Sequence, residues 1–275
     1  MKRSIYTSLC AWKTSSHRKP LILQGARQVG KTYILKEFGK QEYKDVVYIN
    51  CDDIDDMKEM FVDYDIQRII RSLSAISGVS IQPSTTLIIL DEIQEIPRGL
   101  TALKYFCEKA PEYHVAVAGS LLGITLHEGT SFPVGKVDFM DLYPLSFREF
   151  LRALGEERYE QFLSGDDREM VTAFREKYID RLREYYYVGG MPEAVQLFAD
   201  TGDFVRVREI QKNLLNYYQQ DFSKHAAATL VPRLNLVWNS IPMQLAKENK
   251  KYIYGQVREG ARAKDFELAI QWLMD

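Results

Sequence analysis

Short apolar runs separated by longer amphipathic stretches organise the first half of the chain. Leu21-Ile22-Leu23, Val46-Val47-Tyr48-Ile49-Asn50, Leu87-Ile88-Ile89-Leu90, Val115-Ala116-Val117-Ala118 and residues 137–142 read as five strands. The third run has no polar alternation, as expected of a parallel strand covered on both faces. Residues 33–38 read as a helix with Gly39 as the expected stop, because glycine tolerates a left-handed C-cap. Ile66, Ile69, Ile70 and Leu73 fall at helical spacing before the breakers Gly78 and Pro83. Asp52, Asp53, Asp55 and Asp56 read as a solvated turn opening a helix, whose N-terminus favours negative charge. Strands alternating with helices over residues 20–145 predict a parallel sheet with right-handed crossovers.

The texture changes at Ser146. Ser146-Phe147-Arg148-Glu149 is a capping box, and Phe147, Phe150, Leu151 and Leu154 form an apolar helical face. Helical patterns continue past Tyr185-Tyr186-Tyr187 until Gly189-Gly190-Met191-Pro192 breaks them. Three consecutive tyrosines on a helix point in three directions, which favours packing over a stacking platform for nucleic acid. Further on, Tyr252-Ile253-Tyr254 is a strand candidate, and a helix follows from Ala263. Phe266, Ala269, Ile270, Leu273 and Met274 make an apolar stripe that ends at Asp275 without a cap, the expectation for a chain cut short.

Composition narrows the class. In 275 residues, 27% are charged and the formal net charge is −2, so neither disorder nor a polyanion-binding tail is implied. Cys10, Cys51 and Cys107 lack metal or disulfide spacing and suit reduced thiols in a cytoplasmic protein. The four histidines are equally scattered, which argues against a metal cluster. The opening segment lacks a signal-peptide core, and no apolar run reaches the length of a bilayer span.

Gly25-Ala26-Arg27-Gln28-Val29-Gly30-Lys31-Thr32 matches the phosphate-loop pattern G-x-x-x-x-G-K-[ST] directly after the first strand. Its glycines let the backbone wrap phosphates, its N–H groups line the loop, and the following helix offers its positive end. Lys31 is placed to reach the β- and γ-phosphates of ATP, and the Thr32 hydroxyl to ligate Mg²⁺. At the end of the third strand, Asp91 is expected to hold the Mg²⁺ hydration shell and Glu92 to polarise an attacking water. Acids there also suit a plain helix cap. Ser120, after the fourth strand, is the candidate for a third polar group near the γ-phosphate, with helix capping as its alternative role.

With these residues assembled, the chain resembles AAA-type P-loop ATPases of the ASCE class. More narrowly, it resembles the prokaryotic group of predicted ATPases that carry a C-terminal domain of unknown function. The resemblance rests on residues 25–32 (GARQVGKT), 90–94 (LDEIQ), Gly119-Ser120, 143–147 (YPLSF) with Glu149-Phe150, and 189–192 (GGMP). It implies an α/β core with a parallel sheet over residues 1–145, a helical segment over 146–228 and the start of a winged-helix-like region over 229–275. It also implies a nuclease-like fold that this chain lacks. One position departs: Gly135-Lys136 stands where the group has Gly-Arg, and lysine lacks the bidentate fork of an arginine finger. Arg27 and Arg148 are the alternative cations.

The leading expectation is therefore an ATP-driven switch. A nucleic-acid-binding regulator is the runner-up, with DNA contacted through Lys247, Lys250, Lys251, Arg258, Arg262 and Lys264, although solvated helix faces carry similar charge. A small-molecule kinase would share the phosphate loop but needs an acceptor pocket. A GTPase is disfavoured by the absence of an N-K-x-D signature.

Overall fold

A computed structural model describes residues 2–52, 60–96, 98–119, 133–248 and 251–274. The chain divides into two compact units, residues 1–208 and 209–275. In the first, α1 (Ile5–Thr14) precedes β1 (Leu21–Gln24), α2 (Lys31–Glu42), β2 (Asp45–Asn50), α3 (Ile66–Ser77), β3 (Thr86–Asp91), α4 (Gly99–Lys109), β4 (His114–Ala118) and β5 (Asp138–Asp141). The five strands form one sheet in the order β2-β3-β4-β1-β5, and every pairing is parallel.

Burial on both faces explains the apolar runs. Ile88 and Leu90 of β3 join a core with Ile66, Ile69 and Leu73 of α3 and Leu103 and Phe106 of α4. Leu87 and Ile89, pointing the other way, join Leu9 and Trp12 of α1 and Leu35 and Phe38 of α2. Each residue of β3 is therefore covered, and a polar residue in mid-strand there would face no water.

Helix α3 ends by local chemistry at both termini, whereas the end of α2 does not fall where its glycine suggests. Asp65 caps α3 by accepting from the N–H groups of Gln67 and Arg68, and Gly78 closes it in the left-handed conformation. Gly39, expected to stop α2, lies inside that helix, which runs on to Glu42. Its glycine serves close packing: a Cβ there would lie 2.7 Å from Val46 Cγ2 and 3.2 Å from Leu87 Cδ2.

Helices α5 (Phe147–Ala153), α6 (Glu157–Ser164), α7 (Arg168–Ala173), α8 (Arg175–Val188) and α9 (Pro192–Thr201) complete the first unit. Phe150 stacks on Phe198 at 5.9 Å and meets Tyr185 at 5.3 Å. Of the tyrosine run, Tyr185 packs here, Tyr187 lies edge-on to Phe204, and Tyr186 is 76% exposed. Helix α10 (Phe204–His225) carries the boundary between the units.

In the second unit, α11 (Val231–Leu245) and α12 (Ala263–Met274) pack with Phe222 set between Trp238 and Trp272 at 5.4 and 5.5 Å. Tyr252-Ile253-Tyr254, expected as a strand, instead runs into a 3-10 turn over Tyr254–Gln256. The side-chain amide of Gln244 supplies what a neighbouring strand would. It donates to the Ile253 carbonyl at 2.9 Å and accepts from the Ile253 N–H at 3.1 Å. Among the described residues, no helix is long and apolar enough to cross a membrane.

His114 makes acid stability testable. Its Nδ1 lies 2.7 Å from the Tyr43 hydroxyl beneath Trp12, and burial, aided by Arg18 and Lys13, pushes its pKa down to about 4. A depressed folded pKa keeps the ring neutral while the unfolded chain already takes up a proton. Its contribution is complete above about pH 6.5 and is lost as pH falls toward 4. Denaturant unfolding should show a loss of about 2 kcal/mol across that window once solvent screening is allowed for. In His114→Gln the loss should shrink; an unaltered acid dependence would assign it to other groups.

Candidate functional site

Parallel strands place the ends of β1, β3 and β4 along one edge of the sheet, where loops can reach a common ligand. Gln24 leads into Gly25 at φ +150°, and a Cβ on Gly25 would sit 2.2 Å from the Leu142 carbonyl oxygen. Only glycine fits that crossing of the loop over the chain leaving β5. Gln28 (φ +63°) and Gly30 (φ +95°) take left-handed conformations as the loop turns into α2. The first turn of α2 has no side-chain cap, which leaves its N–H groups for an anion.

Lys31 folds over the loop, donating to the carbonyls of Gly25 at 2.7 Å and Ala26 at 3.0 Å. Burial lowers the pKa of its ammonium, an effect opposed by Glu92 and Asp91 and reinforced by Arg27. Thr32 Oγ1 donates to Asp91 Oδ2 at 2.6 Å across 59 positions of sequence. The same carboxylate oxygen accepts from the Tyr48 hydroxyl at 3.1 Å. Glu92 adopts φ +52°, uncommon for a residue with a side chain, and its N–H bonds the Ala118 carbonyl at 3.0 Å. Strand β4 lies between β1 and β3, but Ser120 beyond it falls outside the described residues.

Sequence reasoning missed Tyr48, although β2 was legible. Asn50 pairs with Asp91 in the β2–β3 register, so Tyr48, two residues earlier, shares its face. Lys36 Nζ covers the Tyr48 ring at 3.3 Å from its centroid, which fixes the ring on α2.

A cavity of about 350 Å³ opens beside the loop, lined by Gln28, Val29, Gly30, Tyr33, Pro192 and Glu193 among others. The start of α9 reaches this place because two distant segments interlock. The Leu145 N–H donates to the Gly190 carbonyl at 2.7 Å, and a Cβ on Gly190 would lie 2.4 Å from the Leu145 carbonyl oxygen. Tyr185 donates its hydroxyl to that carbonyl at 2.7 Å.

The other cations are placed as follows. Lys136 pairs with Glu108 at 2.9 Å, which raises its pKa, and Arg148 lies 3.6 Å from Glu160. In the second unit Lys251, Arg258, Arg262 and Lys264 are exposed, Lys247 donates to Gln244, and Lys250 falls outside the described residues.

Residues 17–151 match the family model of an AAA domain, and residues 179–275 match a domain of unknown function. No curated protein matches the chain. Among solved structures, a Walker-type ATPase of Pyrococcus abyssi is 14% identical with a TM-score of 0.58, over 99% of this chain and 89% of that one. The Orc1 protein of Aeropyrum pernix, solved in complex with DNA, is 12% identical with a TM-score of 0.39, over 98% and 81% of the two chains. The archaeal ATPase shares the fold at this identity. With the phosphate loop of β1, the acid-tipped β3 and β4 between them, the chain belongs with the AAA-type P-loop ATPases that carry a C-terminal domain of unknown function.

Proposed function

We propose that the chain is a Mg²⁺-dependent, ATP-hydrolysing switch. The observation that carries this reading is the 2.6 Å contact between Thr32 Oγ1 and Asp91 Oδ2, which joins the phosphate loop to the acidic strand end. A hydroxyl and a carboxylate are hard oxygen donors of the kind Mg²⁺ takes with phosphate and water. The donor set therefore fits the ion, with Thr32 and Asp91 as the residues to hold it. Bound there, Mg²⁺ would supply charge neutralisation to the β- and γ-phosphates.

The remaining roles belong to side chains of the protein. Lys31 would exchange its bonds to the Gly25 and Ala26 carbonyls for bonds to the β- and γ-phosphate oxygens. The loop residues Gly25, Ala26, Arg27, Gln28, Val29 and Gly30 would present N–H groups to the phosphates. Tyr48 would hold the Asp91 carboxylate in place. Glu92 would accept a proton from water as its oxygen bonds to the γ-phosphorus and the bond to the ADP oxygen breaks. Ser120 would touch the γ-phosphate or that water.

The adjoining cavity is a suitable place for the nucleoside, because its walls come from both the loop and the start of α9. A nucleotide seated there would touch the sheet and the helical segment together. Gain and loss of the γ-phosphate would then shift their packing, and the change would pass toward the C-terminal part.

Turnover of Mg²⁺–ATP without any added acceptor tests the reading and separates it from a small-molecule kinase. Lys31→Ala should weaken ATP binding by more than about tenfold, measured by titration calorimetry. Glu92→Gln should keep binding and lose on the order of 100-fold in kcat. Hydrolysis unchanged in Glu92→Gln would remove that carboxylate from the chemistry.

A further inference from the structure

Arg3 precedes the residues that match the AAA domain, yet it is only 8% exposed. Its guanidinium serves three distant groups. Nε donates to Glu149 Oε1 at 3.1 Å, Nη1 to the Val29 carbonyl at 3.1 Å and Nη2 to the Tyr143 carbonyl. Val29 belongs to the phosphate loop, Tyr143 follows β5, and Glu149 lies on the first turn of α5. Glu149 is itself fixed, because Oε1 also accepts from the Ser4 N–H at 2.7 Å and Oε2 from the Ser146 N–H at 2.9 Å. Burial would raise its pKa, but those N–H groups and Arg3 outweigh it and hold the carboxyl below its usual range.

We propose that Arg3 is a positioning residue for the phosphate loop, holding the Val29–Gly30 peptide in register with α5. The proposal rests on the ATP-binding reading. A trans peptide is planar, with its C=O and N–H on opposite sides, so fixing the Val29 carbonyl also fixes the direction of the Gly30 N–H. Glycine at φ +95° resists rotation of that peptide less than any other residue would, so an outside clamp is required. The planar guanidinium fork reaches three acceptors in different directions, whereas an ammonium is a point charge without that geometry. Through the same fork the loop is tied to Glu149, on the first turn of the helical segment.

The test uses the full chain and measures ATP dissociation constant, KM, kcat and melting temperature together. A misdirected Gly30 N–H weakens ground state and transition state alike, so Arg3→Lys should raise KM and the dissociation constant about tenfold, with a smaller change in kcat. A lower melting temperature with an unchanged KM would make Arg3 merely structural and overturn the proposal. Glu149→Gln keeps the cap oxygen but removes the charge that orients Arg3, and it decides the matter if Arg3→Lys does not fold. A rise in KM supports the clamp, and an unchanged KM overturns it. Lys31→Ala in the same titration separates the two levels. If it leaves ATP binding intact, the nucleotide reading has failed; if it abolishes binding while both other variants bind normally, only the role of Arg3 has failed.

Discussion

The contact between Thr32 and Asp91 is the constraint around which the candidate site is arranged. Thr32 lies on the first turn of α2, reached from β1, and Asp91 ends β3, two strands that do not touch because β4 separates them. The sheet nevertheless brings them level: Asp91 pairs with Ala118, and Ala118 pairs with Leu23, in one row across three strands. From that row the chain leaves β1 into the phosphate loop and leaves β3 into Glu92. Parallel pairing is what puts both exits on the same edge, and full burial of β3 is what fixes the register, because a slip would turn its side chains to the wrong layers.

Much of this was legible because the information is local. The five runs fall at nearly their observed strand bounds, and they are plainest in β3 and β4, where both faces are covered and an interior residue must be apolar whatever its neighbours are. Gly39 failed as a helix stop for a related reason. A glycine is required both where the backbone turns left-handed and where another element presses close, and sequence does not separate the two. Tyr252-Ile253-Tyr254 carries strand composition, but its backbone pairs with the amide of Gln244, and no β pattern encodes such a partner.

The site divides along the same line. The phosphate loop and the Asp91-Glu92 pair were readable because each is a contiguous motif. Tyr48, Arg3 and the cavity beside α9 were not, because each acquires its meaning from residues far away in sequence. Arg3 meets partners 26, 140 and 146 positions off. A basic residue near a chain start has many solvated counterparts, and only its burial against two carbonyls and a carboxylate distinguishes this one. Lys136 shows the converse: position singled it out, whereas its contact is a half-exposed pair with Glu108.

The stretch 142–149 explains why residues so dispersed form one site. The Leu142 carbonyl sits where a Cβ on Gly25 would clash, and the Tyr143 carbonyl accepts from Arg3. Leu145 gives its N–H to Gly190 and its carbonyl to Tyr185, while Ser146 and Glu149 close the capping box that starts α5. Two of the segments on which the sequence resemblance rests, YPLSF and GGMP, thus meet at Leu145. Backbone groups that leave a sheet edge need partners. Here they find them in Gln24 at the end of β1, in Arg3 and in the helical segment, so each of these is bonded to the same short stretch. In the proposed switch, that shared backbone would be the physical route by which a change at the phosphates reaches the helices.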